Sequence, residues 1–411
     1  MEYLTVSRSV LSGVVCMPIS KSVAHRAVIC SAIARGTEDR LDMGDETSLP
    51  DDIRITREAI RSVLSGEKEI FCGESGSTLR FLIPVAAALG CNVVFTGTGR
   101  LPYRPLREYY EAFIGKGVEL IYPCSENVFL PLEISGRLMP GGFILPGDVS
   151  SQYISGLLMA LPLMKGDSTI TLANKLESSG YVDLTISVMR DFGVEVYRTA
   201  KEFRVSGGDK YSDVDFKVEG DYSAAAFWVV ANYLGGNVVL EGLRSDSLQG
   251  DRKIIEIISN YNDMRKAKRN CDLRCEQPVL EIDASDIPDL VPALCIAAAA
   301  TDAVTRICKA SRLRLKESDR LLSSVAMINA IGGEAEVTGD GIIIRGKDAP
   351  FAGGIVDTFS DHRIAMAASV AGTYSTNGVK LTDHTCVAKS YPGFYEDLMM
   401  LGGKVDGFSN R

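Results

Sequence analysis

The stretch RLRLKESDR (residues 312–320) places six charged side chains within nine residues. Apolar residues then recur at helical spacing up to Gly332 and Gly333, which predicts a half-buried helix that begins beside these charges. The charges would therefore lie at a helix N-terminus, where unpaired backbone N–H groups and the helix dipole favour anions. Considered alone, the stretch is better explained as a solvated helix start in which the charges pair with one another.

The same pattern occurs six times along the chain: a small polar cluster, an Ala-rich apolar helix, a glycine and a short β-branched strand. These first helices are predicted at 24–34, 79–89, 153–164, 224–234, 290–300 and 364–373. They are apolar on nearly every face, which indicates that they are buried and that the strands lie outside them. Six such units predict an α/β fold in two domains of three units each.

A second type of helix, which ends at a glycine and is followed by a returning strand, is predicted in four of the units. These segments cover 110–120, 184–196, 324–337 and 395–405. The fourth unit departs from the pattern, because the basic polar segment 262–270 interrupts it before the pattern resumes at Pro278.

The composition excludes several classes of protein. With 411 residues, of which 46% are hydrophobic and 24% charged, the chain is typical of a globular protein with a large core. Its net charge of −9 argues against a nucleic-acid-binding surface, and it contains neither a P-loop nor a complete dinucleotide-binding fingerprint. No apolar run approaches the roughly 20 residues that span a bilayer. Residues 1–15 resemble a strand rather than a signal peptide, so no membrane partner and a cytoplasmic location are expected.

Cysteine and histidine give no indication of a disulfide or a metal site. The ten cysteines are scattered through apolar segments, and the pair Cys271 and Cys275 lacks Cys-x-x-Cys spacing, so reduced thiols are expected. None of the three histidines, His25, His362 and His384, has a partner at the i+3 or i+4 spacing of a metal-binding helix. No metal ion is therefore expected.

Cationic residues lie at or within one turn of the helix openings in both halves of the chain, namely Lys21, Arg26, Arg80, Arg104, Lys316, Arg320, Arg363 and Lys389. If the buried helices point their N-termini toward a shared cleft, these cations and the free N–H groups would bind a multiply charged anion. For any single cation a surface salt bridge is the simpler explanation, but convergence explains the full set better. Two carboxylates, Asp289 and Glu317, lie among the cations and are candidates for proton transfer, although Asp289 could equally be a helix N-cap.

Seven motifs occur in order along the chain: PISKS (18–22) with Arg26, GESGSTLR (73–80), YRP (103–105), SSQ (150–152), KESDR (316–320), DHR (361–363) and CVAK (386–389). Together they resemble the motifs of the 5-enolpyruvylshikimate-3-phosphate synthase (3-phosphoshikimate 1-carboxyvinyltransferase) family, and the resemblance extends over residues 21–392. It implies a two-domain inside-out α/β barrel, with three βαβαββ units in each domain, buried helices and outer sheets. One domain would comprise residues 1–13 and 220–411 and the other residues 14–219, with the active site in the cleft between them.

The resemblance also implies an activity. The enolpyruvyl group of phosphoenolpyruvate would be transferred to the 5-hydroxyl of 3-phosphoshikimate with release of phosphate, in the shikimate pathway to chorismate and the aromatic amino acids. Both substrates are small anions, as the placement of the cations requires. No cofactor and no metal are implied, and a monomer is expected.

The resemblance further assigns roles to individual residues. Asp289 would accept the hydroxyl proton with Lys316 beside it, and Glu317 would protonate the methylene carbon. The contacts to 3-phosphoshikimate would be Lys21, Ser22, Arg26, Ser150, Ser151, Gln152, Ser178, Asp289 and Lys316. The contacts to phosphoenolpyruvate would be Lys21, Gly76, Arg104, Arg320, Arg363 and Lys389. Glu74 and Arg312 stand where many relatives have Asn, so Arg312 takes no role.

Two alternatives stand beside this interpretation. Related enolpyruvyl transferases that act on a nucleotide sugar share the fold but carry a reactive cysteine in a loop near their arginine, whereas residues 96–107 here contain no cysteine. A non-catalytic repeat scaffold, in which the helix openings are caps and nothing more, leaves the cations unexplained.

Overall fold

The computed structural model describes residues 3–35, 40–46, 49–123, 127–269 and 277–408, without the side chains of 267–269. Cys271 and Cys275, and the end of the basic segment at residue 270, lie outside these ranges. Two compact units are formed: the discontinuous unit, from Met1–Pro18 and Gly220–Arg411, and the continuous unit, from Ile19–Glu219. Within the described residues, no helix is both long and apolar enough to cross a membrane.

The described residues form twelve α-helices, six in each unit. Those of the continuous unit are α1 (Lys21–Arg35), α2 (Asp51–Ser65), α3 (Gly76–Leu89), α4 (Arg107–Phe113), α5 (Ser151–Ala160) and α6 (Ser179–Asp191). Those of the discontinuous unit are α7 (Tyr222–Tyr233), α8 (Ile254–Arg269), α9 (Val291–Ala299), α10 (Arg320–Ala330), α11 (His362–Thr373) and α12 (Phe394–Met400). Short 3-10 helices adjoin several of them, at Leu101–Tyr103, Leu161–Leu163, Gly250–Lys253, Pro288–Leu290, Ser311–Leu315 and Thr385–Lys389.

Twenty strands are described. The first ten are β1 (Leu4–Ser7), β2 (Ser12–Cys16), β3 (Leu41–Asp42), β4 (Glu69–Phe71), β5 (Val93–Thr96), β6 (Val118–Ile121), β7 (Leu132–Gly136), β8 (Gly142–Leu145), β9 (Ser168–Leu172) and β10 (Val196–Arg198). The others are β11 (Glu202–Val205), β12 (Phe216–Lys217), β13 (Asn237–Glu241), β14 (Val279–Asp283), β15 (Val304–Cys308), β16 (Ala335–Val337), β17 (Ile342–Arg345), β18 (Gly354–Val356), β19 (Val379–Leu381) and β20 (Lys404–Asp406).

Each unit contains two four-stranded sheets and one two-stranded sheet among its described residues. The four-stranded sheets have the orders β4-β5-β7-β6, β8-β9-β11-β10, β14-β15-β17-β16 and β18-β19-β1-β20. In all four, the first two strands are parallel and the remaining contacts are antiparallel. Parallel neighbours need a crossover connection, which α3, α5, α9 and α11 supply. The α/β repeat predicted from the sequence is therefore confirmed.

Each of the two short sheets contains one strand, β2 or β12, that lies close in sequence to a boundary between the units. β2 pairs in parallel with β13, from Ser12 opposite Asn237 to Cys16 opposite Glu241, and β3 pairs in parallel with β12. Because β2 is hydrogen-bonded into the discontinuous unit, the structure places the first boundary after Pro18 rather than at residue 13.

The helices that connect parallel strands are buried, as their composition predicts. In α3 (GSTLRFLIPVAAAL) every residue except Ser77 and Leu89 is buried. The helix begins at the N-cap Ser75, whose hydroxyl accepts the backbone N–H of Thr78, and ends at Gly90, which takes a left-handed conformation with φ of 77°. Strand residues such as Ile144 and Val239 are more than half exposed, so the sheets form the outer layer of each unit.

Two surface helices differ from the sequence prediction. The amphipathic helix α2 was not predicted, because only one of its faces, including Ile53 and Ile60, is apolar and buried. Helix α8 continues through the described part of the basic segment 262–270, so the predicted departure of the fourth unit is wrong. Asn262, Asp263 and Lys266 lie on the exposed side of this helix, whereas Ile258 and Tyr261 are buried.

Candidate active site

The charged stretch 312–320 surrounds Arg320, the first residue of α10, which is 1% exposed. The guanidinium donates from Nη1 to Asp289 Oδ1 (2.6 Å), from Nη2 to Glu317 Oε2 (2.7 Å) and from Nε to Asp361 Oδ2 (2.8 Å). Burial would lower the pKa of Arg320, but the three carboxylates raise it above its ordinary value, so the side chain stays charged. The interpretation as a solvated helix start is therefore wrong for Arg320.

The Asp289 carboxylate contacts cations from three segments of the chain. Besides Arg320, its Oδ1 accepts a hydrogen bond from Lys316 Nζ (3.3 Å), and its Oδ2 lies 3.3 Å from Arg363 Nη2. The side chain is 17% exposed. A carboxylate that contacts three cations and still reaches solvent can accept a proton while the cations stabilise negative charge on a ligand.

The alternative that Asp289 caps a helix is wrong. Asp289 is the middle residue of the 3-10 helix Pro288–Leu290, and α9 begins after Leu290 without a side-chain capping hydrogen bond. The carboxylate is directed to the cations instead.

Asp361 joins this cluster to the N-terminus of α11. It is fully buried, and its Oδ1 accepts the backbone N–H of Arg363 (3.0 Å) as the N-cap. Its Oδ2 accepts from Arg320 and from the hydroxyl of Ser318 (2.9 Å). Burial would raise the pKa of Asp361, but the charge of Arg320 holds it below its ordinary value. Asp361 is therefore a buried anion whose charge depends on Arg320.

Arg363 and Lys389 lie at the same end of α11. Burial lowers the pKa of Arg363, but Asp289 raises it above its ordinary value. Lys389 Nζ donates to the carbonyl of Ser360, the residue before Asp361 (3.0 Å). The structure thus groups six of the residues expected from the sequence, namely Asp289, Lys316, Glu317, Arg320, Arg363 and Lys389.

A further carboxyl, Asp251, is buried behind this cluster. It lies in the 3-10 helix Gly250–Lys253, is 2% exposed and accepts a hydrogen bond from the hydroxyl of Ser223. Burial and the charge of Asp289 raise the pKa of Asp251 to about 7, although Arg363 and Ser223 act in the opposite direction. Asp251 therefore holds a proton at pH values where an exposed carboxyl is ionised.

We expect Asp251→Asn to stabilise the protein at pH 8. Between about pH 4 and pH 7 the folded chain keeps the Asp251 proton that the unfolded chain loses, so the free energy of unfolding of the wild type falls as pH rises through this window. Asn does not titrate, so the free energy of unfolding of the variant should exceed that of the wild type by an amount that grows with pH to on the order of 2–4 kcal/mol and stays constant above pH 7. Urea unfolding from pH 4 to pH 8 measures this, with the exposed Asp191→Asn as control. A pH-independent difference would contradict it.

In the continuous unit, Arg26 of α1 is 3% exposed. It donates to the hydroxyls of Thr185 (2.6 Å) and Ser155 (3.4 Å) and to the carbonyls of Ser22 (2.5 Å) and Tyr181 (3.0 Å). Burial lowers the pKa of Arg26 to about 10, so it is charged at neutral pH. All four acceptors are neutral oxygens, which do not compensate that charge.

The N-termini of α3 and α5 are joined through Gln152. Its Oε1 accepts from Arg80 Nη1 (2.8 Å), its Nε2 donates to Ser77 Oγ (2.9 Å), and its backbone N–H is capped by Ser150 Oγ (3.3 Å). The remaining serines of the expected site are buried at the first position of α5 and the N-cap position of α6, namely Ser151 and Ser178.

Lys21 and Gly76 begin α1 and α3, respectively. Lys21 Nζ lies 2.8 Å from Asp52 Oδ2 of α2. The guanidinium of Arg104 lies directly over Gly76, and a Cβ atom at this glycine would be 2.6 Å from Arg104 Nη1. A side chain at this position would therefore have to displace the Arg104 guanidinium.

Sequence reasoning gave no site role to two buried side chains of these clusters, Asp251 and Asp361. Asp361 lies within the motif DHR, which was the available signal. Asp251 lies in none of the seven motifs, and its burial follows from the packing of its 3-10 helix against α7. Among the described side chains, no group of three His, Cys, Asp or Glu residues is arranged to hold a metal ion.

Comparisons with known proteins point to one family. The family model of EPSP synthase (3-phosphoshikimate 1-carboxyvinyltransferase) matches residues 6–398. The 3-phosphoshikimate 1-carboxyvinyltransferases of Clostridium kluyveri and Clostridium acetobutylicum are 41% and 40% identical to this chain, and the matches cover 100% of this chain and 99% of each relative. The solved EPSP synthase of Acinetobacter baumannii has a TM-score of 0.76 at 25% identity and covers 99% of this chain and 100% of its own. The enolpyruvyl transferase NikO of Streptomyces tendae shares the fold, with a TM-score of 0.69 at 16% identity over 98% of both chains.

Proposed function

Since the chain belongs to the EPSP synthase (3-phosphoshikimate 1-carboxyvinyltransferase) family, we propose that it transfers the enolpyruvyl group of phosphoenolpyruvate to the 5-hydroxyl of 3-phosphoshikimate and releases phosphate. The observation that carries the proposal is the Asp289 carboxylate, which contacts the cations Lys316, Arg320 and Arg363. A base for a hydroxyl and positive charge for anionic substrates are thus present at one place. The activity belongs to the shikimate pathway to the aromatic amino acids.

The addition step needs a proton acceptor and a proton donor. Asp289 is assigned as the acceptor, which takes the 5-hydroxyl proton as the hydroxyl oxygen bonds to C2 of phosphoenolpyruvate. Glu317 is assigned as the donor to the methylene carbon C3, and it must carry a proton to do so. The product is a tetrahedral ketal phosphate in which the double bond of phosphoenolpyruvate has been consumed.

The elimination step reverses the proton movement at C3. The bond between C2 and the phosphate oxygen breaks as C3 returns a proton to Glu317, which restores the double bond, and the proton that Asp289 took from the hydroxyl passes to the released phosphate. Lys316 and Arg363, which both contact Asp289, are assigned to stabilise the charge on the leaving phosphate. Lys389 and the N-terminus of α11 add further positive potential at this end of the unit.

The binding of 3-phosphoshikimate is assigned mainly to the continuous unit, at Lys21, Ser22, Arg26, Ser150, Ser151, Gln152 and Ser178, with Asp289 and Lys316 from the discontinuous unit. Support comes from the uncompensated charge of Arg26 and from the serines at the N-termini of α5 and α6, where anions bind favourably. Because the two substrates react with each other, both sets of residues are proposed to serve one active site in the interdomain cleft. The enzyme is further proposed to be a cytoplasmic monomer without a nucleic-acid partner.

The binding of phosphoenolpyruvate is assigned to Lys21, Gly76, Arg104, Arg320, Arg363 and Lys389. We expect Gly76→Ala to raise the KM for phosphoenolpyruvate by roughly 10- to 100-fold, because the new methyl group displaces the Arg104 guanidinium, which is assigned to this substrate. Steady-state kinetics with each substrate varied in turn measures the effect. Gly142→Ala in β8, where a Cβ meets no atom within 4 Å, is the matched control. An unchanged KM in Gly76→Ala would remove Arg104 from the site.

The proposed function is tested by a coupled phosphate-release assay in which each substrate is omitted in turn. Phosphate should appear only when phosphoenolpyruvate and 3-phosphoshikimate are both present, and mass spectrometry should detect the enolpyruvyl product. A parallel reaction replaces 3-phosphoshikimate with a nucleotide sugar such as UDP-N-acetylglucosamine. Phosphate release only in that reaction would support the related transferase, and release in neither would overturn the enzymatic assignment.

A further inference from the structure

A buried chain of hydrogen bonds joins the N-terminal parts of α1, α2 and α3. We call it the hydroxyl chain, and it consists of His25, Thr56, Thr78 and Ser75. His25 Nδ1 lies 2.7 Å from Thr56 Oγ1, Thr56 Oγ1 lies 2.6 Å from Thr78 Oγ1, and Thr78 Oγ1 lies 2.7 Å from Ser75 Oγ. Each of these residues is at most 2% exposed. The hydroxyl chain is therefore a dry contact between three helices.

Thr56 is the residue on which the hydroxyl chain depends. Its Oγ1 lies 2.8 Å from the Asp52 carbonyl oxygen, which can only accept, and 2.6 Å from Thr78 Oγ1, whose own proton is donated to Ser75 Oγ. The single hydroxyl proton of Thr56 is therefore directed to one of these two oxygens, and Thr56 accepts a hydrogen bond from His25. Burial, with the charges of Lys21 and Arg26, holds the pKa of His25 well below its ordinary value, so His25 is neutral and donates through Nδ1–H.

Residues assigned to the substrates lie next to the hydroxyl chain on α1 and α3, and α2 carries the ion-pair partner of one of them. Lys21 precedes His25 by one helical turn on α1 and pairs with Asp52, which precedes Thr56 by one turn on α2. Gly76 lies between the two members of the chain on α3. A change in the spacing of the three helices would therefore move Lys21 relative to Gly76 and the guanidinium above it.

We propose that Thr56 is a positioning residue that fixes Lys21 and Gly76 at the spacing phosphoenolpyruvate requires, an inference that rests on the proposed function. Thr56 acts through the helices it joins. A buried network that loses one member leaves its other polar groups unsatisfied, and the helices then shift to satisfy them. Lys21 is assigned to both substrates, but Gly76 is assigned to phosphoenolpyruvate alone. The other 3-phosphoshikimate contacts, such as Arg26 and Gln152, are hydrogen-bonded to partners outside the hydroxyl chain, so the KM for phosphoenolpyruvate should rise more than the KM for 3-phosphoshikimate.

The test compares Thr56→Val, which keeps the shape but removes the hydroxyl, with Thr56→Ser, which restores it. In Thr56→Val we expect the KM for phosphoenolpyruvate to rise roughly tenfold, with a clearly smaller rise for 3-phosphoshikimate and a small change in kcat. Thr56→Ser should return the KM close to that of the wild type. The matched control is Thr305→Val, which removes a fully buried hydroxyl bonded to Tyr261 (3.0 Å) in the discontinuous unit and should leave both KM values unchanged.

The outcomes separate this inference from the proposed function. A wild type that releases no phosphate from phosphoenolpyruvate would overturn both, whereas an active wild type with an unchanged KM in Thr56→Val would overturn the role of Thr56 alone. Equal increases in both KM values would show a merely structural effect and would also overturn it. If Thr56→Val does not fold, Thr78→Val is used instead, because it interrupts the same contact from α3. The inference then stands only if Thr78→Val raises the KM for phosphoenolpyruvate more than the KM for 3-phosphoshikimate.

Discussion

Asp289→Asn is expected to lower kcat by about 10²- to 10⁴-fold while the protein stays folded. Asn has the shape of Asp and can still accept hydrogen bonds from Lys316 and Arg320 through Oδ1, but it cannot take the proton of the substrate hydroxyl. Arg320 keeps its contacts with Glu317 and Asp361, so this buried cation still has carboxylate partners in the variant. The loss should therefore appear in turnover rather than in folding.

The measurement is a kcat determination by phosphate release, with circular dichroism to establish that the variant is folded. Asp286→Asn is the matched control, because Asp286 lies three residues earlier, is 38% exposed and forms only a distant ion pair with Lys253 (3.9 Å). Lys316→Ala should lose most turnover as well, because Lys316 donates to the Asp289 carboxylate. Full activity in Asp289→Asn would remove Asp289 from the mechanism.

The fold was predictable from the sequence where burial leaves a composition signal. A helix surrounded by protein must be apolar on every face, so the Ala-rich segments of α7, α9 and α11 were identifiable without any tertiary information. Helices at the surface carry a weaker signal, which is why α2 was not predicted and α8 was mistaken for an interruption. The first boundary was misplaced because the pairing of β2 with β13 joins segments more than 200 residues apart, and local patterns contain no information about such pairing.

The candidate site was predictable to a similar degree. The motifs KESDR and DHR contain the three cations that the structure groups around Asp289, and such a signal is readable because charge at a helix N-terminus is a local property. Which side chain each cation contacts is not local, because Arg320 and Asp361 are 41 residues apart and Arg80 and Gln152 are 72 apart. The sequence therefore predicted Arg320 as a ligand contact, whereas the structure shows that its donors are also occupied by three carboxylates.

Arg320→Met is expected to cost about 3–5 kcal/mol of stability at pH 7, because it leaves a buried anion without its cation. Asp361 is fully buried and accepts two hydrogen bonds from Arg320, and Glu317 and Asp289 lose a donor as well. Met fills much of the same volume, so the cost would come from charge and hydrogen bonding rather than from a cavity. Urea unfolding of both proteins measures the difference.

The pH dependence identifies Asp361 as the cause. Arg320 holds the pKa of Asp361 below its ordinary value. The stabilisation that this pair contributes is therefore fully present above the ordinary pKa of an aspartate, and it is lost as pH falls through the lowered pKa of Asp361 in the folded protein. The difference in the free energy of unfolding between the wild type and Arg320→Met should therefore become smaller in acid, because Asp361 takes up a proton in both proteins. Arg345→Met is the control: Arg345 is 44% exposed, and its pairs with Glu334 and Glu336 should contribute at most about 1 kcal/mol. If Arg320→Met loses no more free energy of unfolding than Arg345→Met does, the buried carboxylates are compensated by other groups. The cluster would then not depend on Arg320.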